Sequence, residues 1–159
     1  MNRNELVEKF LQMYGSGKLE RITEVVSEIS ERVLGPLHDI TKGDNGPPGK
    51  NEIPAKGEYK QETKSVILYE NVFCPRVLFH EIGHSIYHEF PEIAEITECE
   101  YKNDPFYKME TAGEGLSREK GAAEFCANAY QLYKTETIST DDDPERFRSL
   151  ADKLKEKGV

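Results

Sequence analysis

The pattern His80-Glu81-x-x-His84 constrains this chain more than any other feature of its sequence. Residues four apart on a helix lie on one face, with Cβ atoms about 5–6 Å apart, so the two imidazoles can bind one metal ion. Glu81 projects beside the first histidine, towards a metal-bound water rather than the metal. The apolar residues of the segment fall on the opposite side, where they pack the helix on a core: Phe79, Ile82, Ile86 and Phe90.

The distribution of apolar and helix-ending residues along the rest of the sequence predicts an α+β fold with a small sheet. Apolar spacing and helix-ending residues predict helices over 4–14, 19–33, 76–90, 91–100 and 118–134, and a last helix that starts at Asp143-Pro144. Extended segments are predicted over 37–41 and 58–70, the latter with the β-prone run 65–69. Residues 42–57 are rich in Gly and Pro and predict a loop, and 101–117 are predicted to be irregular. Gly83 permits a neighbouring backbone to approach the histidine helix closely.

Length and composition indicate one domain with a small core. The chain has 159 residues, of which 36% are hydrophobic, and its mean hydropathy is -0.70. We divide it into N-terminal helices and a loop (1–57), a zinc-binding core (58–135) and a C-terminal helix (136–159). A bound metal would stabilise such a chain by favouring the folded state.

The net charge of -9 argues against a nucleic-acid or anionic-membrane partner, because both require a basic surface. It is compatible with a peptide or protein substrate that is neutral or basic. Cys74, Cys99 and Cys126 form neither a disulfide framework nor a C-x-x-C pair. The sequence shows no signal peptide and no transmembrane run, so we expect a cytoplasmic protein.

A hydrolytic zinc site takes three protein ligands and a water, so the third ligand defines the subclass. Metzincins place a third histidine six residues after the second, but here that position is Phe90. Peptide deformylases use a cysteine well upstream, and Cys74 is too close to His80 for that arrangement. A glutamate therefore remains as the expected third ligand.

Many glutamates follow the motif: Glu92, Glu95, Glu98, Glu100, Glu110, Glu114, Glu119 and Glu124. Most lie in an acidic stretch typical of a solvated surface. Glu124 differs, because its neighbours over 121–130 are mostly small or apolar. A carboxylate is rarely buried without a partner, and a metal is such a partner. Glu124 is the favoured ligand and Glu119 the alternative.

These elements resemble the catalytic domain of the anthrax lethal factor family, which includes bacterial Pro-Pro endopeptidases. The resemblance covers roughly 58–135 and rests on the H-E-x-x-H helix, the strand before it and the pattern Glu-Phe-x-Ala-x-Ala-Tyr-x-Leu at 124–132. It implies a minimal zincin-like domain of the gluzincin type, with a small twisted sheet, an active-site helix and a second helix carrying a glutamate. It also implies Zn²⁺ bound by His80, His84 and Glu124, with Glu81 as general base.

The sequence departs from this family at two points. A tyrosine thought to stabilise the oxyanion usually precedes the glutamate ligand, but here the neighbourhood is Leu116-Ser117-Arg118. Tyr101, Tyr107 and Arg118 are alternatives for that role. Asn128 replaces an acidic residue that often follows the ligand by one turn. His88, one turn beyond the motif, either lies on the polar surface, touches substrate or competes for the metal.

We therefore expect a zinc-dependent endopeptidase. Zinc lowers the pKa of its bound water to about 7, and Glu81 transfers a proton from that water to the leaving amine. The strand near 65–69 is expected to lie beside the site and to pair with an extended substrate. The alternative is a degenerate zinc-binding or peptide-binding regulatory protein of phage-associated or ImmA-like type. The ImmA-type pattern E-x-x-A-x-x-F-A would begin at Glu119, with Cys126 in place of the last alanine.

Overall fold

The structure, a computed structural model, describes residues 1–48, 53–113 and 115–159. Within these ranges the fold is α+β, as predicted, with eight α-helices and three short strands. In chain order the elements are α1 (Arg3–Tyr14), α2 (Leu19–Ser27), α3 (Glu31–Leu34), β1 (Asp39–Lys42), β2 (Gly57–Lys60), β3 (Ser65–Leu68), α4 (Pro75–Glu89), α5 (Pro91–Lys102), α6 (Tyr107–Thr111), α7 (Arg118–Thr135) and α8 (Arg148–Glu156). Short 3₁₀ turns precede α2 and α8.

The sheet has the order β1-β3-β2. Strand β1 runs parallel to β3, and β2 runs antiparallel to β3 in a hairpin. The expectation that the strand near 65–69 offers a free edge to substrate is wrong, because β3 is paired on both sides. The edge strand that contacts α4 is β2, which the sequence pattern joins with β3 in one extended segment over 58–70. The turn between them includes Lys64, with a positive φ of 50°.

Local capping explains where the helices begin and end. Pro75 and Pro91 each stand in the first turn of a helix, and the Ser117 hydroxyl accepts from the Lys120 N–H at the start of α7. The prediction of a single helix over 19–33 is wrong, because two helices, α2 and α3, occupy this range. Helix α2 ends at Ser27, and Ser30 is extended, with a side chain that accepts from the Val33 N–H and so caps α3. The predicted irregular segment 101–117 contains the short helix α6.

Helices α4 and α7 cross at a glycine. A Cβ built on Gly83 would lie 2.6 Å from the Cα of Ala127, a separation that only glycine permits. This confirms the predicted close approach to the histidine helix. Buried residues from all parts of the described chain, from Phe10 in α1 to Leu154 in α8, form one hydrophobic cluster.

A buried arginine ties the C-terminal part of the chain to the segment before α7. Arg146 donates to both carboxylate oxygens of Asp104 at 3.1 Å and to Glu110 at 2.9–3.0 Å. Its guanidinium lies over the ring of Phe106 at 4.8 Å and near that of Phe147 at 5.2 Å. This cluster holds α6 beside the 3₁₀ turn that precedes α8.

Candidate metal centre

Helix α4 presents both histidines of the motif on the face turned away from its buried residues Phe79, Ile82 and Ile86. The ring centroids of His80 and His84 are 5.1 Å apart, with the ring planes at 77°. Phe79, Ile82 and Ile86 are at most 1% exposed, as the amphipathic pattern predicts. The local period of the helix is thus sufficient to place two nitrogen ligands side by side.

Helix α7 brings Glu124 to the two imidazoles. Glu124 Oε1 lies 2.8 Å from His84 Nε2, and Glu124 Oε2 lies 3.5 Å from His80 Nε2. The ligand atoms of the three residues all lie within 4.8 Å of one another. Atoms bound to one tetrahedral zinc at about 2.0–2.2 Å are roughly 3.3–3.6 Å apart, so these donors need only small shifts to bind one ion.

The charges of these groups depend on one another in the metal-free protein. Desolvation raises the pKa of the Glu124 carboxyl, but hydrogen bonds from His80 and His84 outweigh it and hold this pKa well below its usual range. Burial lowers the pKa of His80, but the hydrogen bond and charge of Glu124 more than compensate and the net shift is upward. Two imidazoles that converge on one carboxylate make a donor set that fits a divalent metal.

Glu81 lies on the same side of α4, between the helix and the edge strand β2. It is 7% exposed. A Cβ on Gly57 would lie 2.8 Å from Glu81 Cγ and 3.1 Å from its Oε1, so the strand passes directly over this carboxylate. Desolvation raises the pKa of Glu81, and the nearby histidines oppose that rise. A desolvated carboxylate with a raised pKa suits a group that accepts and returns protons.

An open cleft of about 810 Å³ lies over this group. One wall is the edge strand β2 with the turn that follows it, and the other is the segment from Leu116 to Lys120. Glu81, His84 and Glu124 line the cleft, so the candidate metal position faces solvent. A peptide laid in the cleft would touch both the candidate metal ligands and the strand.

Among the described His, Cys, Asp and Glu side chains, His80, His84 and Glu124 are the one group of three placed to hold a metal. Glu119, the alternative ligand, is exposed at the rim of the cleft. Several other candidates bind different partners: Glu98 accepts from Tyr87, Glu100 from Ser149, and Glu110 from Tyr101. Glu114 lies outside the described residues.

The structure does not bring the expected oxyanion residues to the cleft. Tyr101 is 1% exposed and donates to Glu110 at 2.8 Å, and Tyr107 packs edge-on against its ring. Arg118 lines a neighbouring depression rather than the cleft itself. His88, in contrast, forms part of the cleft wall, where its ring stacks on that of Tyr59 at 5.9 Å. His88 is therefore placed to touch a ligand.

Sequence reasoning missed the contributions of Gly57, Tyr59 and Gln131. Gly57 and Tyr59 lie on β2, which faces α4. No local sequence pattern predicts the contact between this strand and the helix. Gln131 is fully buried and lies beside His80. Its spacing of seven residues from Glu124, two turns along one helix face, is the signal that could have identified it.

Comparisons with protein-family models, curated proteins and solved structures found no match for this chain. Among the described residues, no helix is both long and apolar enough to span a membrane. The functional assignment therefore rests on the residues of the site and their geometry.

Proposed function

We propose that this chain is a zinc-dependent endopeptidase in which His80, His84 and Glu124 hold the metal. The observation that carries the proposal is the meeting of these three side chains within 4.8 Å, next to the buried Glu81 and beneath an open cleft. The resemblance to the anthrax lethal factor family, and with it a zincin-like fold of the gluzincin type, supports the same assignment. Two imidazoles and one carboxylate are a donor set that zinc hydrolases use.

When bound, zinc would polarise a substrate carbonyl and lower the pKa of a coordinated water. Glu81 would accept a proton within the cleft and deliver it to the leaving amine. Its desolvation favours the protonated form, which makes the uptake of a proton by this carboxylate easier. The histidines and Glu124 orient the site, and Gly57 leaves room for Glu81 under the strand.

The edge strand supplies a reason to favour a peptide substrate. Strand β2 pairs with β3 on one side, and its residues line the cleft. An extended peptide can add to such an edge through backbone hydrogen bonds. Residues that alternate along the peptide would then face the metal site or solvent.

A second candidate function is metal-dependent peptide binding without cleavage. It is favoured by the position of Tyr101, Tyr107 and Arg118, none of which lines the cleft. Without a donor to stabilise the oxyanion, turnover would be slow, since loss of one such donor typically costs about 10²–10³-fold in rate. His88 and the bound metal itself remain as sources of that stabilisation.

The first experiment measures zinc per chain by elemental analysis on the wild type, Glu124→Ala and Glu119→Ala. We expect about one zinc in the wild type, a clear loss in Glu124→Ala and no loss in Glu119→Ala, because Glu119 is exposed at the rim. Full zinc content in Glu124→Ala, together with a loss of zinc in Glu119→Ala, would identify Glu119 rather than Glu124 as the third ligand. No zinc in the wild type, even after incubation with the metal, would refute the proposal.

The second experiment separates the two functions. Wild type and Glu81→Gln, both loaded with zinc, are incubated with a peptide library and the products are read by mass spectrometry. An endopeptidase cleaves in the wild type and loses cleavage in Glu81→Gln, while zinc content stays the same. Cleavage that survives Glu81→Gln contradicts the general-base assignment, and binding without cleavage in the wild type favours the second function.

A further inference from the structure

The imidazole of His80 has two nitrogens in different surroundings. Nε2 faces Glu124 at 3.5 Å, on the side where the metal would bind. Nδ1 is fully buried and has no hydrogen-bond partner among the described residues. A buried N–H without a partner is costly, and metal-bound histidines nearly always donate this proton to a second group.

One buried amide lies beside that nitrogen. Gln131 is 0% exposed, and its Nε2 atom is also buried without a partner in the described part of the chain. Its Oε1 accepts from the Ser139 hydroxyl at 3.0 Å, which ties the amide to the loop after α7. An amide oxygen has two lone pairs, so Oε1 can accept a second hydrogen bond while keeping Ser139.

The crossing of α4 and α7 brings the amide and the ring to the same level. The ring of Phe79 in α4 lies 6.1 Å from that of Tyr130 in α7, and His80 and Gln131 are the next residues of the two helices. Asn128 lies on the same face of α7, and its Oδ1 is also buried without a partner within the described residues. Gln131 differs from Asn128 because the Ser139 hydroxyl holds its amide in place.

We propose that Gln131 is a positioning residue for the metal site: its Oε1 accepts the Nδ1 proton of His80, and Ser139 holds the amide in place. This inference rests on the proposed metal site. A neutral imidazole that binds metal through Nε2 must carry its proton on Nδ1, and an acceptor behind the ring selects that tautomer and its orientation. Helix α7 thus supplies both the carboxylate ligand and, two turns later, the group that orients a ligand of α4.

The test compares Gln131→Met, Gln131→Glu and Asn128→Leu with the wild type. Zinc affinity is measured at pH 7 by competition with a chromophoric chelator, and the thermal midpoint is measured on the metal-free proteins. We expect Gln131→Met to weaken zinc binding about 10–100-fold, as loss of an outer-shell partner typically does. Gln131→Glu keeps an acceptor and should restore affinity to within about threefold of the wild type.

The metal-free proteins separate positioning from packing. Methionine has a similar length to glutamine and removes a buried amide with an unpartnered N–H group, so the metal-free midpoint of Gln131→Met should not fall. Asn128→Leu should leave zinc affinity near that of the wild type. Wild-type affinity in Gln131→Met would overturn the inference but leave the proposed function intact. So would a loss in Asn128→Leu alone, or a lowered midpoint that Gln131→Glu does not restore. Absence of zinc from the wild type would overturn both.

Discussion

The crossing of α4 and α7 at Gly83 predicts that one added methyl group will damage the metal site more than it damages the fold. In Gly83→Ala the new Cβ would lie 2.6 Å from Ala127 Cα and 3.2 Å from Ala127 O. Carbon atoms in contact need about 3.5–4.0 Å. The two helices must therefore separate by roughly 1 Å, since the obstacle is the backbone of α7 and not a flexible side chain.

The sign of the stability change tests this reasoning. In a helix with free space, replacement of glycine by alanine would stabilise by about 1 kcal/mol. Overpacking in a core typically costs about 1–3 kcal/mol. We expect the clash to dominate, with a lower thermal midpoint by roughly 2–4 °C for each kcal/mol in a chain of this size.

Metal binding should suffer more, because the ligands come from both helices. Metal–ligand distances are held within about 0.2 Å. A shift of roughly 1 Å between His84 and Glu124 exceeds that tolerance several times, even though some of it can be absorbed by rotation of the Glu124 side chain. We therefore expect a large loss of zinc affinity, of a size comparable with Glu124→Ala.

The assay measures the thermal midpoint without metal and the zinc affinity by chelator competition, for Gly83→Ala and for the control Gly17→Ala. A Cβ added to Gly17 would have no atom of the described residues within 4 Å, so this substitution should leave both quantities nearly unchanged. A Gly83→Ala protein that is more stable than the wild type and binds zinc equally well would refute the close crossing of the two helices.

Other contacts in the structure lead to three more predictions. Arg146→Met removes the charged partner of Asp104, whose side chain is 3% exposed, and should destabilise the protein by about 3–5 kcal/mol in urea unfolding, whereas Arg146→Lys should cost less. Gly57→Ala should retain zinc but reduce peptide cleavage, because the new Cβ displaces the proposed general base; unchanged cleavage would contradict this. In the metal-free protein the raised pKa of His80 contributes stability that is lost as pH rises above its usual 6.5, and the lowered pKa of Glu124 contributes stability that is lost as pH falls below 4.5. The stability difference between wild type and Glu124→Gln should therefore be largest between these values, and a difference independent of pH would contradict the ion pair.

Features that depend on neighbouring residues could be predicted from the sequence. The face shared by His80 and His84 follows from the period of a single helix, and the ends of α4 follow from Pro75 and Pro91. The α+β class also follows from local periodicity. Where a local signal competed with another, as at Ser30, the cap interrupted a helix that periodicity alone would have continued.

Contacts between elements required the tertiary structure. The sequence singled out Glu124 by its apolar neighbours, but only the approach of α7 to Gly83 places its carboxylate 2.8 Å from His84. The choice of β2 over β3 as the strand beside the cleft depends on strand order, which periodicity does not encode. The burial of Tyr101 likewise depends on how α5 packs against α7. Short-range hydrogen bonding and helical period determine which face a side chain occupies, whereas long-range packing determines what it meets there.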